Sequence, residues 1–209
     1  MCGRYTLTTE PDLLGQRFAL PHLQWQPRYN IAPSQPILTI VSPWEPRILS
    51  WGLIPPWSRD GQRRFINARG ETAPEKPSFQ AAFRNSRCLI LADSFFEWDR
   101  QKKPYRFLLA QGEPFAMAGL WARWTSPDGE QIETCAIITT EANELVAPIH
   151  DRMPVILTRE TERLWLKPGE PAFHHSLLRP YPADEMRCYP VSRLVNSPHN
   201  DHPGCIAQA

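Results

Sequence analysis

Hydrophobic and polar positions along this chain fall into short runs, broken by Pro, Gly, Asp or Asn. Short β-rich runs occupy 36–42, 47–54, 87–92, 105–110, 114–121, 133–139, 154–158 and 187–191, which predicts a strand at each. Helical spacing is scarcer. Thr9 followed by Glu10, Pro11 and Asp12 predicts an N-cap with acids in the first turn, ahead of apolar Leu13, Leu14, Phe18 and Leu20. Further short helices are predicted over 78–84, over 141–146 behind a Thr140 cap, over 159–166 and over 171–178. Strands outnumber helices without a regular strand-helix-strand alternation. The predicted fold class is therefore α+β: a mostly antiparallel, curved or barrel-like sheet with short helices and long loops. No internal repeat or low-complexity tract divides 1–209, so a single domain is expected.

Composition adds that this sheet encloses a real core. Hydrophobic residues make up 42% of the 209, with 8 Trp and 9 Phe, whereas 23 Pro and a mean hydropathy of −0.44 predict many loops. The net charge of +1 excludes a grossly basic or acidic binder but hides an asymmetry. Residues 1–90 hold 11 Arg and Lys against 6 Asp and Glu, and residues 91–209 hold 12 against 16. Apart from Lys76, Lys102, Lys103 and Lys167 the cations are all Arg, the better fork for phosphate and the better partner for aromatic stacking. No run approaches the roughly 18 apolar residues of a membrane span, and the N-terminus lacks the apolar stretch of a signal peptide. A cytoplasmic protein is expected. The five cysteines contain no CxxC pair, so reduced thiols are expected, with no structural metal and no cofactor.

Four segments carry candidate chemistry. Removal of the initiator Met before a small residue exposes Cys2 as a 1,2-aminothiol, whose specific partner is an aldehyde: the amine forms a Schiff base and the thiol closes a thiazolidine. The same pair also suits an N-terminal nucleophile for acyl transfer, and a small buried cysteine is inert. In Arg64-Phe65-Ile66-Asn67-Ala68-Arg69, Asn67 offers an amide to an amine or phosphate and Arg69 a bidentate fork. Glu97, flanked by Phe95, Phe96 and Trp98, is predicted to be desolvated and raised in pKa, as suits proton transfer; the alternative is a structural pair with an Arg. His150, beside Arg152 in a Pro-bounded turn, is a candidate acid or base. Trp51 and Trp57 bracket a proline turn and are followed by Arg63, Arg64, Arg69, Arg84 and Arg87, the aromatic and basic interleaving of a single-strand channel. Buried, the same tryptophans are ordinary core.

Ten segments in register extend the pattern over nearly the whole chain: Met1-Cys2-Gly3-Arg4-Tyr5, Tyr29-Asn30-Ile31-Ala32-Pro33, Trp51-Gly52-Leu53-Ile54-Pro55, Asn67-Ala68-Arg69, Glu71-Thr72, Lys76-Pro77-Ser78-Phe79, Arg87-Cys88-Leu89, Phe96-Glu97-Trp98, His150-Asp151-Arg152-Met153-Pro154 and Val195-Asn196. In this order they resemble the SOS-response-associated peptidase (SRAP) family. The resemblance implies the SRAP fold and covalent reaction with abasic sites in single-stranded DNA, whose opened sugar carries an aldehyde. It assigns the thiazolidine to Cys2, the hold on its amine to Asn67, proton shuttling to Glu97 and sugar-ring opening to His150. Arg4, Arg69 and Arg152 become phosphate contacts around the lesion, with Trp51 and Trp57 near flanking bases, and Arg84, from the basic interleaving, is a further expected DNA contact. The expected partner is abasic single-stranded DNA, with the replication machinery as a further candidate, a cytoplasmic and nucleoid-associated setting, and a monomer as the simplest state. Gly70, where the family usually has Ser or Ala, is expected to loosen the loop beside Arg69. Two other readings use the same residues: a cysteine peptidase, autoproteolytic at Met1, with Cys2 as nucleophile, His150 as base and Glu97 as orienter, and a noncovalent binder of modified or single-stranded DNA.

Overall fold

The computed structural model describes residues 2–209. Within them the chain runs β1 (Tyr5–Leu7), α1 (Pro11–Phe18), β2 (Arg28–Ile31), β3 (Pro36–Val41), β4 (Glu45–Trp51), β5 (Asn67–Arg69), α2 (Gln80–Asn85), β6 (Arg87–Ala92), β7 (Ser94–Trp98), β8 (Pro104–Leu109), β9 (Phe115–Thr125), β10 (Gln131–Glu141), β11 (Arg152–Pro154), β12 (Ile156–Leu157), α3 (Arg159–Leu166), α4 (Pro171–Ser176) and β13 (Met186–Pro190). No helix among the described residues is long and apolar enough to cross a membrane.

β9 and β10 form a long hairpin, paired from Gln131 opposite Thr125 to Ile137 opposite Gly119. From β9 the ladder continues antiparallel through β6, β3 and β4, and β4 returns to β10 in parallel at Thr134–Ser50 and Cys135–Trp51. These strands close a five-stranded barrel, which satisfies every inner edge. All six residues of β6 are buried, which is why that run is apolar throughout instead of alternating. The second sheet is antiparallel in the order β13-β8-β7-β1-β2. Only Asp93 separates β6 from β7, so the chain passes from barrel to second sheet across one residue.

That crossing is held by charge. The Asp93 carboxylate, 3% exposed, accepts from the Thr6 hydroxyl and from the backbone and side chains of Thr8 (2.5 and 2.8 Å) and Thr9 (2.8 and 3.0 Å). It therefore pins the segment leading out of β1 to the start of β7. Ser94 accepts from Arg106 Nε at 2.7 Å beside it.

The α+β, barrel-like expectation holds, and several local expectations do not. Thr9 spends its donors on Asp93, so the N-cap of α1 is Glu10, without a side-chain cap, and Pro11 opens the helix. Thr140 stays in β10 opposite Met153. The predicted helix after it is instead a turn in which Asn143 Oδ1 accepts from Val146 N–H at 3.0 Å. Gly52, at φ +134°, ends the strand predicted to reach 54. Arg87 belongs to no channel: its buried guanidinium donates to the carbonyls of Phe83, Arg84, Trp165 and Lys167, fastening α2 and α3 to the barrel.

Candidate active site

Beyond the barrel closure, the far half of β10 exchanges β4 for β5, and Ile137, Ile138 and Thr139 pair in parallel with Asn67, Ala68 and Arg69. On its other side Thr139 to Glu141 pair with Pro154 to Arg152 of β11. One strand end therefore presents Asn67 and Arg69 to one flank and Arg152 to the other. Facing it, β1 lies between β7 and β2 of the second sheet, with Cys2 just before it. The seam between the two sheets is where these side chains meet.

Cys2 is fully buried, and its carbonyl accepts a 2.8 Å hydrogen bond from Asn67 Nδ2. The other end of that amide, Oδ1, is buried without a hydrogen-bond partner among the described residues. Period-two alternation along β7 sends Phe96 into a small satellite core with Val191 and Val195, and Phe95 into the main core. Glu97 shares the face of Phe95 and is 2% exposed. Burial raises its carboxyl to about 7, and the negative charge of Asp151 adds to the rise.

His150 reaches the same point from the turn before β11, with Nε2 4.0 Å from Glu97 Oε2. Its Nδ1 lies 3.0 Å from the backbone N–H of Arg152 and 3.2 Å from the Arg152 carbonyl, so it accepts from the one or donates to the other according to the tautomer of the neutral ring. Asp151 Oδ1 also lies 3.1 Å from Nδ1, on a side chain that is 87% exposed. Burial lowers the His150 pKa. Burial also pushes the Cys2 thiol up, reinforced by the charge of Glu97, so sulfur is held as S–H. Acid, neutral imidazole and thiol thus share one desolvated seam.

The basic and aromatic candidates divide. Arg69 is exposed at the rim. Arg152 is forked onto Glu71 at 2.7 and 2.9 Å and donates to the Thr139 carbonyl at 2.7 Å. Arg4 turns inward, donating to Asn30 Oδ1 at 2.8 Å and to the Val195 carbonyl at 2.6 Å, and so ties the N-terminal segment to the C-terminal turn. Trp51 is core: it is fully buried, its indole donates to the Ile66 carbonyl at 2.8 Å, and it meets Tyr5 edge-on at 5.4 Å. A side chain without exposed surface cannot stack on a flanking base, so the expected base contact is corrected to a support beneath β1 and β5. Trp57 is 51% exposed, with the Arg63 guanidinium 6.0 Å from its ring. Arg84 is exposed on α2, lining a cavity of about 200 Å³ with Ser42, Trp121 and Pro168, none of which belongs to the reactive group. The Gly70 N–H donates to the Thr139 carbonyl at 2.8 Å, and an added Cβ would press on Leu178 at 3.2 Å.

Sequence reasoning gave no role to Glu71, Thr139 or Asp93. Glu71 stands in a quoted motif, which was its signal; Thr139 and Asp93 act through contacts that only the folded chain creates. Among the described residues no three His, Cys, Asp or Glu side chains converge as a metal-ligand set.

Residues 1–198 match the family described as SOS response associated peptidase (SRAP). The chain is 49% identical over 221 residues to the Bacillus subtilis protein named Abasic site processing protein YoqW, covering 99% of each. Similarity to the Xenopus tropicalis protein named Abasic site processing protein HMCES is 31% identity over 261 residues, 99% of this chain and 78% of that one. A crystal structure from Bacteroides thetaiotaomicron superimposes with a TM-score of 0.89 at 30% identity over the whole of both chains. One from Bordetella bronchiseptica does so with a TM-score of 0.82 at 29% identity, over 91% of this chain and 100% of that one.

Proposed function

The chain belongs to the SOS response associated peptidase family, and from that premise we propose that it processes abasic sites in single-stranded DNA by joining them covalently to Cys2 once Met1 is removed. The observation that carries this reading is the convergence of Cys2, Asn67, Glu97 and His150 at the seam, with the Asn67 amide on the Cys2 backbone at 2.8 Å and a carboxyl raised to about 7 beside them. The relatives named abasic site processing proteins support the substrate class.

The chemistry follows from the groups. His150, as a neutral imidazole, takes the proton of the C1′ hydroxyl and returns it to the ring oxygen as the C1′–O bond breaks, freeing the C1′ aldehyde. The neutral Cys2 amine attacks C1′, a C–N bond forms, and the amine proton passes to the oxygen to leave a carbinolamine. Glu97, protonated at about neutral pH, donates to that hydroxyl; the C–O bond breaks, one water leaves, and the iminium N–H proton returns to the carboxylate. Sulfur then adds to C1′ and the thiol proton passes to nitrogen, closing the five-membered thiazolidine. A thiol held as S–H supplies that proton, whereas a cysteine peptidase needs a thiolate paired with imidazolium, and burial opposes both charged forms here. Ring closure removes the imine that would otherwise expel the 3′ phosphate. Arg69 and Arg152 at the rim suit phosphates, and exposed Trp57 beside Arg63 suits an unpaired base.

The test mixes Met1-processed protein with a single-stranded oligonucleotide bearing one abasic site, read by denaturing gel and intact mass. A 1:1 adduct at the summed mass minus one water is expected, absent with intact DNA and with Cys2→Ala. Cys2→Ser keeps the amine, and less stable adduct with more strand cleavage is expected. No adduct from a chain of verified Met1 removal would overturn the proposal, and peptide cleavage by that chain would favour the peptidase.

A further inference from the structure

The guanidinium of Arg152 is already occupied. Nη1 and Nη2 grip the two oxygens of Glu71 at 2.7 and 2.9 Å, Nη2 also donates to the Thr139 carbonyl and hydroxyl, and Nε is buried without a partner among the described residues. The Glu71 side chain is 50% exposed and that of Arg152 only 13%, so the carboxylate covers the guanidinium from solvent. A carboxylate and a phosphate use the same fork of an arginine. From the bidentate pair and its layering we propose that Glu71 is an internal stand-in for a strand phosphate, held on Arg152 until DNA displaces it, and that it thereby sets how weakly the protein holds undamaged single strands.

The proposal rests on the reading of the seam as DNA-facing. The Arg152 hydrogen bonds hold the Glu71 carboxyl below the usual carboxylate range, so the pair stays charged at neutral pH and the competition is present under working conditions. Arg69, two residues before Glu71, is exposed and carries no such fork among the described residues, so at this rim the strand meets an open cation beside a guarded one. A phosphate drawn in by an anchored lesion displaces Glu71 more readily than one from a passing strand, because its effective concentration is higher. Glu71 in this role is a specificity-determining residue, and the backbone N–H and carbonyl of the same Arg152 that it holds both lie against Nδ1 of His150.

The test is equilibrium binding of an undamaged fluorescent single-stranded oligonucleotide, titrated across salt, with wild type, Glu71→Gln, Arg152→Ala and the double variant. Glu71→Gln is expected to bind about two- to fivefold tighter at low salt, the range of one exposed ion pair. Its log Kd against log salt slope should steepen by about 0.7, one more phosphate neutralised on a single strand. The gain must vanish in the Arg152→Ala background. Unchanged or weaker binding by Glu71→Gln overturns the proposal, since Glu71 would then only position Arg152. A gain that survives without Arg152 also overturns it, as a general field effect. Failure of the abasic-adduct assay would strike the covalent reading instead, because undamaged-strand binding needs no reaction at Cys2.

Discussion

Glu97 shows how one residue links reactivity to stability. Its carboxyl titrates near 7 in the fold against an ordinary 4.5, because burial disfavours the charged form. Between those values the folded chain binds more protons than the unfolded chain, so stability falls as pH rises from about 4.5 to about 7 and is level above. Glu97→Gln should remove this slope and gain on the order of 3 kcal/mol at pH 7.5, with little gain below pH 4.5. Urea unfolding across that range measures it; an unchanged slope in the variant would assign the proton uptake elsewhere. The same group predicts that adduct formation declines above about pH 7 as the acid is lost, and that this limb is missing in Glu97→Gln. The raised carboxyl is legible from its aromatic neighbours Phe95, Phe96 and Trp98. The inward turn of Arg4 and the burial of Trp51 are not, because a side chain's direction depends on what packs opposite it.

At the scale of elements, the longest strands are legible and most of the shorter ones are not, β7 (Ser94–Trp98) among them, although β12 (Ile156–Leu157) falls within a predicted run. β3, β6, β9 and β10 announce themselves through sustained apolar runs, rich in β-branched residues in β3 and β10. β1, β5 and β11 hold three residues each, too few for a pattern, and exist because longer strands beside them offer a ladder. All three frame the site. The two failed caps have one cause: Thr9 and Thr140 carry good capping side chains, but a buried carboxylate and a strand partner claimed them. Asp93 accordingly acts on an element, not only on itself. Asp93→Asn replaces one acceptor oxygen with a donor facing donors, and should cost about 2–3 kcal/mol in urea unfolding. It should also slow adduct formation by loosening β1 and Cys2, and a variant of wild-type stability would show the hydrogen bonds to be dispensable.

For the whole molecule, the barrel and the second sheet share a seam crossed at Asp93, and both contribute to one main core. Unfolding monitored by Trp fluorescence and by far-ultraviolet circular dichroism in urea should therefore give a single coincident transition. Separated midpoints would show that the sheets unfold independently. The sequence alone determined the α+β class, the places of the main strands and the types of groups available for reaction, because apolar periodicity and residue chemistry are local properties. Even the ten motifs that resemble one family name the reactive residues without placing them. Only the tertiary structure decided which groups meet. Cys2, Asn67, Glu97 and His150 are separated by up to 148 positions in the chain, and they converge because β10 exchanges partners past the barrel closure while β6 passes into β7. Ladder register and burial act across such separations, and through them a carboxyl becomes an acid, a thiol keeps its proton and a tryptophan becomes core.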